Sequence, residues 1–117
     1  MSTDGSSEES IVVLVTAPPG DLARAIARRL VDAQLAACVN IVTSVESVYR
    51  WEGQRCEESE WLLVIKTRRP LFERLAAEVK TLHNYTVPEI IALPILTGSA
   101  DYLRWVREST PVTVKNL

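Results

Sequence analysis

The chain has 117 residues, enough for one domain with a single modest core and too few for two. Forty-seven per cent of the residues are hydrophobic and 24% charged, and 13 basic against 15 acidic side chains leave a net charge of −2. That composition excludes a disordered chain, and the missing positive field argues against nucleic acid or an anionic membrane as partner. No apolar run approaches the roughly 18–20 residues of a membrane span, and MSTDGSSEES at the start has neither the basic opening nor the apolar stretch of a signal peptide, so a cytoplasmic location is expected.

Residues 1–10 are acidic and serine-rich and read as a disordered tail, which leaves residues 11–117 as one domain. Ile11-Val12-Val13-Leu14-Val15-Thr16 is a continuous apolar run ended by Pro18-Pro19-Gly20, the pattern of a central strand buried on both faces. From Asp21, a candidate cap, Leu22, Ile26 and Leu30 recur at helical spacing, which predicts a helix over 21–33.

Residues 37–67 predict one long β-hairpin. Residues 38–51 contain no proline or glycine, and Val39, Ile41, Thr43, Val45, Ser47, Tyr49 and Trp51 form one alternation set. Glu52-Gly53 supplies a turn, and residues 56–67 return as a second strand. Fourteen strand residues span roughly 45 Å, against a radius of gyration of about 13 Å for a compact chain of this length. The hairpin therefore overhangs its own domain, and a second copy of itself is the economical partner. With Gly53 near the turn centre, Cys56 falls opposite Arg50 and Cys38 near residues 66–68, too far apart for a disulfide. Free thiols suit a reducing compartment.

Arg68-Arg69-Pro70 breaks the strand and opens a second helix with Leu71, Leu75 and Val79 on its core face. The irregular segment LHNYTVPE follows, then a short strand at Ile90-Ile91-Ala92-Leu93, and Thr97-Gly98-Ser99 starts a last helix carrying Tyr102, Leu103 and Val106 on one side. Val112-Thr113-Val114 is a candidate edge strand. The order βαββαβ plus a C-terminal helix predicts an α+β, ferredoxin-like sandwich: a four-stranded antiparallel sheet, two helices on one face, and a second face without helical cover that oligomerisation would bury.

The segments VLVTAP, LAACVNI, SVYRWEG, LLVIKT, HNYTVPEI and DYLRWV, in this order between residues 13 and 106, resemble the signature of the CutA family, the divalent-cation-tolerance proteins. The resemblance implies a compact subunit in a tight homotrimer, joined edge to edge as in the similar PII signalling proteins. Family members with a copper site carry a cysteine where this chain has Val15 and adjacent histidines where it has Leu82-His83. Only His83 matches, so the resemblance implies weak or shared metal binding, or a replacement set that includes Cys38.

Cys38 and His83 are thus the metal candidates, for Cu(II) or another divalent cation, and Glu89 and the acidic group Glu57, Glu58 and Glu60 can add oxygen ligands. There is one histidine and no CxxC or HxxxH spacing, so the simpler reading of Cys38 is a small buried strand residue and that of the acidic group an anti-aggregation device. In a second constellation, Asn40, Lys66, Tyr85, Glu89 and Asp101, the hairpin register brings Lys66 to Asn40 and the resemblance implies that residues 85–89 lie toward an intersubunit cleft, which suits a small anionic ligand or a satisfied interface network. Tyr49, Trp51 and Gly53 near the turn are expected to build the trimer interface, and Trp105 to be core or interface. No nucleophile with a base and orienter, phosphate loop or cofactor fingerprint is present, so neither an enzyme nor an organic cofactor is expected. Two readings follow: a copper or divalent-cation tolerance protein binding metal weakly, or a PII-like sensor or scaffold.

Overall fold

A computed structural model describes residues 9–112. The elements are β1 (Ser10–Ala17), α1 (Asp21–Asp32), β2 (Cys38–Trp51), β3 (Gln54–Arg68), a 3-10 turn (Arg69–Leu71), α2 (Phe72–Leu82), β4 (Ile90–Pro94) and α3 (Ala100–Ser109). The four strands form one antiparallel sheet in the order β2-β3-β1-β4, so β1-α1-β2 and β3-α2-β4 interleave as a ferredoxin-like sandwich. Ser10, assigned to the tail by sequence, is the first residue of β1, paired with Arg68. Residues 1–8 and 113–117 lie outside the described residues, as do most of the expected tail and most of the expected edge strand at residues 112–114.

Although β1 is central, its burial alternates, with Ile11, Val13, Val15 and Ala17 buried and the residues between them half-buried. The uninterrupted apolar run had predicted two covered faces. Only one is fully covered: Val13, Val15, Leu63 and Ile65 pack under Ile26 and Leu30 of α1 and Leu75 and Val79 of α2. Asp21 does not cap α1. Gly20, with φ of 113°, occupies that position, and Asp21 sits inside the first turn facing Arg24 at 3.4 Å.

The other face is not bare, as the sequence suggested, because α3 crosses part of it. Ser99 caps this helix, its Oγ accepting from the Tyr102 N–H at 3.3 Å. At its far end the buried Arg68 donates through Nε to Thr110 Oγ1 at 3.2 Å and through its terminal nitrogen to the Thr110 carbonyl. Arg68 alternates with Thr67 along β3, so its side chain leaves the sheet away from α1 and α2.

The hairpin overhangs as expected. β1 accompanies β3 only from Arg68 to Trp61, while Gln54 to Glu60 has β2 as its one strand partner. The molecule measures 48 × 26 × 23 Å, with a radius of gyration of 15.1 Å. Glu52 (φ 50°) and Gly53 (φ 81°) form a two-residue turn with both positions left-handed, the geometry that matches strand twist. This places Cys56 opposite Tyr49, not Arg50, and both cysteines are free thiols.

One irregularity redirects the strand. Val42 pairs with Leu62 and Val45 with Glu60, so Thr43 and Ser44 stand against Trp61 alone, and Ser44 adopts φ 69°. This bulge reverses the side-chain alternation. Val39 and Ile41 share the helix-covered face with Ile65 and Leu63, whereas Val45, Ser47, Tyr49 and Trp51 share the opposite face with Glu60, Glu58, Cys56 and Gln54. The single alternation set read from the sequence is therefore divided between two faces.

Candidate functional site

The segment after α2 folds back over the sheet and is held there by His83. The buried ring accepts at Nδ1 from the Tyr85 backbone N–H at 3.1 Å, so the remaining proton is assigned to Nε2, which donates to the Thr16 carbonyl at 2.8 Å. Tyr85 packs against the imidazole, with centroids 4.5 Å apart and planes tilted by 42°, and donates its hydroxyl to Glu60 Oε2 at 2.7 Å. His83 thus ties the end of β1 to the segment, and Tyr85 ties the segment to β3.

Between this segment and the overhanging hairpin lies an open cleft of about 890 Å³. Its walls include Tyr49, Trp51, Tyr85 and Val87, and four glutamates, Glu46, Glu58, Glu60 and Glu89, line it without a lysine, arginine or histidine among the described lining residues. Glu60 is only 5% exposed. The anionic character reaches the tyrosines. Glu58, accepting a hydrogen bond from the phenol, holds Tyr49 up to about 12, and burial, followed by the Glu60 hydrogen bond, raises Tyr85 further.

A second cluster lies toward the other end of the hairpin on the same face as Glu60. Lys66 donates to Asn40 Oδ1, and the Cys38 thiol lies 3.8 Å from the same oxygen. Tyr102 of α3 is raised by burial, then by Cys38 beside it. Its ring also pairs with Trp105, centroids 5.5 Å apart, leaving Trp105 on the surface.

The structure accordingly divides the sequence-derived constellations. Asn40 and Lys66 stand together and so do Tyr85 and Glu89, but Glu60 and Lys66 are six residues apart along β3, about 20 Å. Asp101 belongs to neither, facing Arg104 at 3.4 Å on the solvent side of α3. Cys38 and His83 are not brought together within one chain: Cys38 pairs with Lys66, which lies opposite Val12, whereas His83 binds Thr16 four residues further along β1. Both His83 nitrogens are engaged, and among the described residues no three of His, Cys, Asp or Glu are grouped to hold one ion. Tyr49 and Trp51 line the cleft while Gly53 is confined to the turn. The acidic group also divides, because Glu57 pairs with Arg55 at 3.1 Å in solvent while Glu60 is buried. Sequence reasoning missed Thr16 and Glu46 in the cleft: Thr16 lines it because His83 ties residues 83–89 to the end of β1, and the position of Glu46 depends on the bulge at Ser44.

A family model described as CutA1 divalent ion tolerance protein matches residues 11–109. The chain belongs to the CutA1 family. The divalent-cation tolerance protein CutA of Thermus thermophilus is 54% identical over 99 residues, covering 85% of this chain and 96% of that protein. A chloroplastic CutA of Arabidopsis thaliana is 49% identical over 110 residues, which are 94% of this chain and 60% of the plant protein, so this chain spans about three-fifths of its length. Among solved structures, CutA1 of Oryza sativa superposes with a TM-score of 0.87 at 46% identity, covering 93% of this chain and all of that one. The T. thermophilus structure gives 0.85 at 52% identity, covering 87% and 99%. CutA1 membership and the ferredoxin-like fold agree with the resemblance read from the sequence. No helix among the described residues is long and apolar enough to cross a membrane.

Proposed function

We propose that this CutA1 protein is a non-enzymatic, cytoplasmic homotrimer that serves divalent-cation tolerance by binding cations weakly in the cleft between its hairpin and residues 83–89. The observation that carries this reading is the lining itself: four glutamates and no basic side chain among the described residues. Oxygen donors suit hard, hydrated divalent ions, and the absence of a preformed three-ligand group favours retention by the local field over a dedicated cage. Copper, which prefers nitrogen and sulfur, finds less: both His83 nitrogens have partners, and the side chains beside Cys38 are Asn40, Lys66 and Tyr102, with no second thiol or imidazole among the described ones. Glu58 and Glu89 are the accessible ligands, with Glu60 behind them. The trimer is supported by family membership and by the overhanging hairpin, whose free edge and exposed Trp51 suit a partner. A small anion at Tyr85 and Glu89 is disfavoured by the same carboxylates.

Calorimetric titration of the assembled protein with Ca(II), Zn(II) and Cu(II) tests the reading. Saturable binding lost in Glu58→Gln/Glu89→Gln supports it. No saturable binding of any of the three, or binding lost only in Cys38→Ser, places cation handling elsewhere.

A further inference from the structure

Two charges on the sheet face opposite α1 and α2 have no counter-ion among the described residues. The Glu60 carboxylate has one partner, the Tyr85 hydroxyl, at 5% exposure. A carboxylate so little exposed keeps little of its hydration, and a single hydroxyl donor fills only part of its accepting capacity. The Lys66 ammonium, half-buried on the same face, has only the neutral amide of Asn40. The two are too far apart, at about 20 Å along β3, to neutralise each other within one chain.

The same face is apolar beside them. Ile91 and Leu93, paired with Leu14 and Val12, are 49% and 50% exposed, and Val42, beside Leu62, is 43% exposed. An apolar strip with an unmatched anion toward one end and an unmatched cation toward the other is complementary to itself when one copy follows another head to tail. Such heterologous contacts close into a ring when the rotation permits.

We infer that Lys66 of one copy enters the cleft of the next and pairs with its Glu60, so that the acidic site is completed between subunits. The inference rests on the ring assembly and the acidic cleft of the reading above, and it names the group that sets the cleft's charge. Lys66 then has two roles, joining adjacent copies and replacing one unit of the cation charge that the carboxylates would otherwise draw from solution.

The test is a double-mutant cycle on assembly of the full chain, using Lys66→Met and Glu60→Gln singly and together, with the dissociation midpoint read by light scattering on dilution and folding of each variant checked by far-ultraviolet circular dichroism. Each single variant is expected to weaken assembly at least about tenfold, and the double variant no further, because the removed groups share one interaction. Additive losses, or assembly unchanged in Lys66→Met, would overturn the pairing. A charge exchange provides the second arm: an equal mixture of Lys66→Glu and Glu58→Lys copies forms mixed trimers that keep the repulsion at a single contact, so it should assemble better than either alone if Lys66 lies in the cleft, and no better if it does not. Failure of calorimetric cation binding in the wild type leaves this cycle intact, so the two ideas fall separately.

Discussion

The two halves of the central hairpin have similar strand chemistry and opposite surroundings. In the root half, Val39 and Ile41 face Ile65 and Leu63, β1 lies alongside, and two helices close the core above. In the tip half, Val45–Trp51 and Gln54–Glu60 have only each other as strand partners, and Val48 is 64% exposed. The boundary is the bulge at Ser44, where the β2 side chains change face. The root stabilises the subunit, while the tip supplies a cleft and an edge for something outside it. Division of one hairpin into these roles separates mutations that unfold the chain from mutations that alter what it holds.

The largest expected effect is in the root. Leu63 is fully buried beneath α1 and α2, so Leu63→Ala should cost about 2–5 kcal/mol in denaturant-induced unfolding, the transfer term plus a cavity. His83→Ala comes next, because it removes the acceptor for the Tyr85 N–H and the donor to the Thr16 carbonyl, and about 1–3 kcal/mol should be lost. Hydrogen exchange in this variant should quicken at residues 84–89 before the core strands respond. Unchanged protection there would mean that the imidazole does not hold the segment.

In the tip, Gly53→Ala forces a side chain into φ 81° with open space around the new Cβ, so the cost is conformational, about 1 kcal/mol. Because nothing among the described residues lies within 4 Å of a Cβ at Gly53, the loss should be smaller in a dissociated subunit than in the assembly, and unfolding measured across protein concentration checks this. Equal losses at all concentrations would place the turn outside the interface.

The order of elements was legible because proline and glycine punctuate it: Pro18-Pro19-Gly20, Gly53, Pro70 and Gly98 stand at or near element ends. The overhang was legible from strand length alone. The bulge was not, since a serine takes the left-handed position with no glycine to mark it, and one inserted residue reverses every later assignment of face. Glu60 was misread for a related reason. In sequence it belongs to a solvated acidic run, and only the return of residues 83–89, brought back by contacts far apart in the chain, buries it beneath Tyr85. Asn40 and Lys66 were paired correctly because they depend on local register, whereas joining them to Tyr85 and Glu89 required a distance that this chain does not close.

The smallest predicted effect sharpens the comparison without disturbing the fold. Tyr49 is held up to about 12 from an ordinary 10.0, first by its hydrogen bond to Glu58 and then by loss of hydration and nearby negative charge. The neutral phenol is the favoured form beside a carboxylate, so the folded chain binds this proton more tightly than the unfolded one. The associated stabilisation is complete below pH 10 and is lost as the pH rises through about 12. A difference titration of phenolate absorbance between wild type and Tyr49→Phe isolates this group. In Glu58→Gln its transition should move toward 10, because the amide removes the negative charge that disfavours phenolate. Leu63→Ala, where the chain remains folded, should leave the transition near 12, since the tip's electrostatics depend on carboxylates aligned across the hairpin and not on the core beneath the helices. A transition that moved with the core substitution and ignored Glu58 would join the two halves that the structure separates.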